Sequence, residues 1–189
     1  FTAEEAVAKE ILDNRREDRV LLPSRVLDPF VDYVKGFSDV QFQAMEPRLL
    51  DATAYDELEA DPSAHRAEAY RVRGQVGDLR SQLRKDGTTE YRGWLVLPDE
   101  RVVHFVVSDV TTIGHYMRVD GLFVKLYRGQ NDTGEWQEGP LLVGARAVRS
   151  YPEAREYDAA TLAAALEGVR DDTMADLTGL DGPAFEALW

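Results

Sequence analysis

The residues of this chain whose types could do chemistry are three histidines, a cluster of arginines with one tryptophan, and a dense set of carboxylates. His104 lies in Val102-Val103-His104-Phe105-Val106-Val107, an apolar run that predicts a strand, where it shares a face with Val102 and Val106. A histidine so placed is more often a buried, hydrogen-bonded ring than a ligand, and no second His or suitable carboxylate stands at metal spacing from it. His115 begins a later strand beside Tyr116, near Ser108 and Asp109 in sequence. A Ser-His-Asp hydrolase would need those three side chains to converge. A hydrolase using acidic residues, or His104 and His115, is thus one functional reading. His65 carries no pattern around it.

Other chemistry is thinner still. Asp171, Asp172 and Asp176 are close together, but the glycine and final Glu of a calcium loop are missing. Gln130-Asn131-Asp132-Thr133-Gly134 reads as a polar hairpin loop. No phosphate loop, dinucleotide glycine fingerprint, HExxH or GxSxG pattern occurs. Zero Cys excludes a disulfide scaffold and a thiolate metal site, while leaving the compartment open. The expectation is no catalytic residue, no metal and no cofactor.

One constellation suggests binding. Arg71 and Arg73 on a first strand, with Arg92 and Trp94 on a second, would make a basic and aromatic surface. Stacking on the ring and steering by guanidinium groups would suit single-stranded nucleic acid or an oligosaccharide. The alternative is that Trp94 points inward and the arginines are solvated or paired with acids. The net charge of −13 argues against nucleic acid.

The elements that must position these residues follow from periodicity. Thr2 and Glu5 make a capping box, and Ala6, Val7, Ile11 and Leu12 predict a helix over about 3–18. Asp28-Pro29 predicts the start of a second helix that ends at Gly36, and Ser38 or Asp39 caps a third carrying Phe42 and Met45. Residues 51–65 read as an acidic linker or short helix. From Ala67 the period becomes two. Tyr70, Val72, Gly74 and Val76 alternate with polar residues; after Gly77-Asp78 the parity shifts to Leu79, Ser81 and Leu83, as at a β-bulge. Strands follow over 90–97 and 101–108, and 115–128 repeats the parity shift at Asp120-Gly121. A fifth covers 140–149. Two long bent strands with three shorter ones predict a mainly β, α+β chain: a five-stranded OB-like barrel between acidic helical segments, with an antiparallel sandwich as runner-up.

Charge follows the same division. Residues 1–65 carry 7 basic and 15 acidic groups, net −8; residues 66–150 carry 13 and 11, net +2; residues 151–189 carry 2 and 9, net −7. This predicts segments at 1–65, 66–150 and 151–189, the last helical again through Leu162, Ala165, Leu166 and Val169. The acidic flanks also match each other. Val26–Glu46 and Val169–Trp189 align without gaps with five of 21 positions identical, including Asp28/Asp171, Gly36/Gly179 and Phe42/Phe185. A second repeat beginning near the C-terminus is the reading, with shared helix punctuation as the alternative. No window approaches the ~18 apolar residues of a membrane span, and the opening Phe1 predicts a processed or excised piece.

The run Met117-Arg118-Val119-Asp120-Gly121-Leu122-Phe123-Val124-Lys125-Leu126-Tyr127, followed by Gly139-Pro140-Leu141-Leu142-Val143-Gly144-Ala145, resembles an uncharacterised OB-fold-like soluble domain of larger, often membrane-tethered bacterial proteins. The likeness covers about residues 66–150, and its motifs are packing motifs. It implies a non-catalytic module of a longer chain, outside the cytoplasm if that chain is tethered. The functional expectation is therefore a binding or structural module that contacts a protein partner or neighbouring repeats of its own chain.

Overall fold

A computed structural model describes residues 11–151 apart from 14, 21 and 132. The chain divides into two units after Ser150, and the description below concerns the first. The predicted tail helices, the Asp171-Asp172-Asp176 cluster and the second copy of the repeat lie outside the described residues.

The chain is mainly β. Among the described residues six strands, β1 (Arg48–Leu49), β2 (Ala69–Leu83), β3 (Thr89–Val96), β4 (Val102–Val110), β5 (Tyr116–Gln130) and β6 (Trp136–Arg149), form one sheet in the order β1-β2-β3-β4-β6-β5. Pairing of β2 with β5 closes that sheet into a ring. The expected count of five is corrected to six, because the two-residue β1 pairs in parallel with Tyr70 and Arg71 of β2. Two residues are too few to carry a period. β4 and β6 also run parallel, which departs from the runner-up, an all-antiparallel sandwich.

The two parity shifts are bulges in the ladder. The β2–β3 register slips between Val76 and Asp78, and the β5–β6 register slips between Val119 and Gly121 and again between Phe123 and Lys125. Each slip turns the following side chains to the other face. The long strand β2 therefore changes neighbours: Ala69–Gln75 pair with β5, and Gln75–Leu83 pair with β3.

Two apolar cores result. Inside the ring, Tyr70, Val72, Leu95, Phe105, Phe123 and Leu142 pack with their neighbours. One helix, α4 (Ala52–Ala60, capped by the Asp51 side chain), adds Ala54, Tyr55 and Leu58 to that core, and the Tyr55 hydroxyl donates to the Val102 carbonyl at 3.1 Å. Gly139 sits at this junction, where a Cβ would lie 1.8 Å from the Val102 oxygen. Outside the ring, α2 (Ser24–Val34) buries Val26, Leu27, Phe30, Val31 and Val34 against Val106, Leu122, Leu141 and Val143. Fully burying a side chain of this kind is worth about 1.5–3 kcal/mol. Arg84, at the β2–β3 hairpin, reaches Asp28 and Asp32 of α2 at 3.4 and 3.3 Å.

The helix starts differ from expectation. α2 begins at Ser24 rather than at Asp28-Pro29, and Pro29 lies inside it. The Pro23 carbonyl accepts from the Val26 and Leu27 amides, so the first turn forms one turn earlier than the Asp-Pro signal suggests. Ser38 caps α3 (Asp39–Ala44) with a capping box to Gln41. Of the predicted helix over 3–18, residues 3–10 and 14 lie outside the described residues; among the described ones, 11–13 are irregular and helix is present as α1 (Arg16–Val20).

That irregular segment is held by charge. The Lys125 ammonium of β5 donates to the Leu12 and Asp18 carbonyls at 2.6 and 2.7 Å. Buried Asp13 accepts from Arg66 at 3.2 Å and from the Leu126 amide at 3.3 Å. Burial pushes Lys125 down to about 8, against the pull of Asp13. Arg16 and Arg19 of α1 pair with Glu138 of β6. No helix among the described residues is long and apolar enough to cross a membrane.

Candidate functional site

α2 leaves part of the outer sheet uncovered, and a groove of about 400 Å³ lies there, on β3 and β4 between the ends of β2 and β5. The bulge at Gly77 builds its wall. Beyond the slip, Leu79 packs toward the interior and Asp78, Arg80 and Gln82 alternate outward, opposite Trp94, Arg92 and Glu90 of β3. A Cβ at Gly77 would lie 2.2 Å from the Trp94 Nε1, so this glycine is what lets the indole lie flat against β2.

Three rings in edge-to-face contact form the floor. Trp94 and His104 are register partners with centroids 5.9 Å apart, and Tyr127 of β5 meets His104 at 5.0 Å. Trp94 is 8% exposed and His104 3%, so the floor is tightly packed. The His104 Nε2 donates to the Gln137 carbonyl at 3.1 Å; a carbonyl can only accept, which fixes the proton on that nitrogen. Burial pushes its pKa down to about 4, and the ring is neutral at pH 7.

The groove's charges are matched within each strand. Arg80 pairs with Asp78 at 2.7 Å, and Arg92 with the buried Glu90 at 2.5 Å. Glu90 is 2% exposed, so its charge is balanced by Arg92 and, at 4.0 Å, by Arg84. Polar amides of Gln82 and Gln130 complete the rim.

The four residues expected to form one surface are divided. Arg92 and Trp94 line the groove. Arg71 and Arg73 lie on the part of β2 that pairs with β5, with Asp120 and Arg118 as register partners. Arg71 holds Asp120 through two hydrogen bonds of 2.7 and 2.8 Å, which raises its own pKa. Trp94 does not point inward: it alternates with Leu95, which belongs to the interior core.

The histidine readings resolve into ordinary roles. His104 is the buried, satisfied ring of the floor. Ser108 donates to the Ala145 carbonyl at 2.9 Å, His115 is exposed, and among the described residues no hydrogen bond joins the two. His65 pairs with Glu68 at 2.9 Å. Among the described residues there is no group of three or more His, Asp or Glu that could hold a metal ion. Among the groove residues absent from the sequence expectation are Asp78, Arg80, Gln82, Tyr127 and Gln130. For the first three the signal was present, because the parity shift at Gly77 already turns them outward. No protein-family model matches the chain, and no curated protein matches it.

Proposed function

We propose that this protein is a non-catalytic binding module whose ligand is an uncharged, extended, polar chain of the oligosaccharide class, lying in the β3–β4 groove. The observation that carries the proposal is the charge balance above an aromatic floor: both groove arginines are already matched by a carboxylate on their own strand. A polyanion gains little from guanidinium groups that are neutralised, and it is repelled by a net charge of −13. A sugar chain needs neutral hydrogen-bond donors and acceptors beside ring edges and apolar surface, which the amides, ion pairs and Tyr127 supply.

The topology supports the same reading. Five of the strands pair around the ring in the order β2-β3-β4-β6-β5, with β4 and β6 parallel, and we read this connectivity as OB-like. Barrels of that kind bind oligonucleotides and oligosaccharides on their second and third strands, between the first and last hairpin loops. Here those strands are β3 and β4, and Gln82 and Gln130 stand at the ends that lead into those loops. β3 and β4 are both paired on both sides, so a peptide has no free edge there to extend.

The test is a titration of the protein with a panel of neutral oligosaccharides (cello-, chito- and malto-hexaose), followed by tryptophan fluorescence and calorimetry. A saturable signal that survives high salt and is lost in Tyr127→Ala and Arg92→Ala supports the reading. A signal obtained only with a single-stranded oligonucleotide, and abolished by salt, overturns it.

A further inference from the structure

A different face of the ring carries its arginines in excess. On the outer side of β2, β5 and β6, Arg73 stands directly opposite Arg118, and Arg71 directly opposite Asp120. Like charges at directly opposed positions cost stability. Asp120 is already held by both arms of Arg71, so Arg118 reaches it only at 3.5 Å. Arg146 of β6 lies 3.7 Å from Asp39. The Nε groups of Arg118 and Arg146 are shielded from solvent and make no hydrogen bond. Arg71, Arg118 and Arg146 thus share two carboxylates. The shielded Nε groups are beyond a ligand's reach, but the side chains of Arg118 and Arg146 are 27% and 41% exposed, and a guanidinium fork suits a planar carboxylate.

We infer that this arginine face is a docking site for a carboxylate-rich segment of a protein partner. The cavity between Arg118, Arg146, Asp39 and Asp120 is about 10 Å³, room for roughly one water. A small molecule is not enclosed there, so the ligand lies across the surface. Asp39, 58% exposed at its side chain, and Asp120 interrupt the positive field. A segment with spaced carboxylates interleaves with them, whereas a continuous phosphate backbone meets both. The surface is separate from the groove and does not depend on the function assigned to it.

The experiment uses the full chain and a fluorescein-labelled alternating Glu-Gly peptide, read by anisotropy at low salt. The expected result is saturable binding that weakens about tenfold or more in Arg118→Gln/Arg146→Gln and is unchanged in Arg101→Gln, whose guanidinium pairs with Asp56 and Asp99 elsewhere on the surface. Binding should also weaken with salt, with a slope that falls in the double variant. Circular dichroism verifies that each variant is folded, and the single variant Arg118→Glu, expected to weaken binding further than Arg118→Gln, gives an independent reading. Absence of binding at low salt, or equal binding to the double variant, overturns the inference. So does tighter binding of inorganic pyrophosphate or a single-stranded oligonucleotide than of the peptide, which would make the face a phosphate site.

Discussion

The groove and the arginine face are built from the same residue type on the same closed sheet, yet they treat charge in opposite ways. In the groove each arginine has an acid two positions away on its own strand, Asp78 for Arg80 and Glu90 for Arg92. On the arginine face the acid sits across the ladder, and one Asp120 must serve both Arg71 and Arg118. The difference comes from β2. After Gly77 its outward positions pair with β3, and before Gln75 they pair with β5, so one strand presents two unrelated surfaces. A row of arginines along a strand therefore does not define a surface; the neighbouring strand does.

If matched charges hold the protein together, breaking one should cost most where burial is deepest. Asp13→Ala, in the irregular segment against β5, removes the carboxylate partner of Arg66, which keeps its bonds to the Val124 and Ile11 carbonyls, and the acceptor of the Leu126 amide. The expected loss is about 3–5 kcal/mol, read from urea midpoints, because a guanidinium is left uncompensated. A loss below about 1 kcal/mol would rank this cluster with exposed pairs.

The groove floor predicts a pH effect of the next size. His104 titrates at about 4 in the folded protein, against about 6.5 when unfolded. Between those values the unfolded chain binds more protons, so stability is complete above about 6.5 and falls as the pH drops toward 4. The contribution is on the order of 3 kcal/mol at most. It should appear as a steeper acid limb in the wild type than in His104→Gln. Smaller again, Glu90→Gln should cost about 2 kcal/mol by removing a buried carboxylate from Arg92. It would also convert the groove to an unmatched site, so affinity for a single-stranded oligonucleotide, measured by anisotropy at low salt, should rise. No rise would break the link between charge balance and ligand class.

Much of this arrangement was legible in the sequence where a physical rule leaves a residue-level trace. A bulge moves apolar parity by one, so Gly77-Asp78 and Asp120-Gly121 announced both bends, and His104 in its apolar run announced a buried ring. The rest leaves no such trace. β1 is too short for a period, and β6 starts at Trp136 because polar hairpin residues still complete a ladder with Gly129 and Gln130. Pro29 looked like a first helical residue, although the helix had already begun at Ser24 under the pull of Val26 and Leu27 toward the sheet. The site divided for the same kind of reason. Arg71, Arg73, Arg92 and Trp94 share outward parity, but parity does not say which strand lies beside each of them, and the exchange of partners at Gln75 is set by closure of the whole ring.

The finest test of the comparison changes two arginines of β2 and β5 whose register partners differ. Arg118→Thr removes a guanidinium that faces Arg73 and touches Asp120 only at 3.5 Å, and it puts a good strand former in its place. Relief of the like-charge pair should stabilise the protein by about 0.5 kcal/mol at low ionic strength, and the gain should fade as salt screens it. Arg71→Thr removes instead the two-armed hold on Asp120 and should destabilise by about 1 kcal/mol. The double variant should recover less than the sum, because Asp120 is common to both. Opposite signs for two arginines on adjoining strands would mean that the face is kept for contact and not for folding. Equal losses would mean that Arg118 holds the sheet as Arg71 does, and the surplus would then be only apparent.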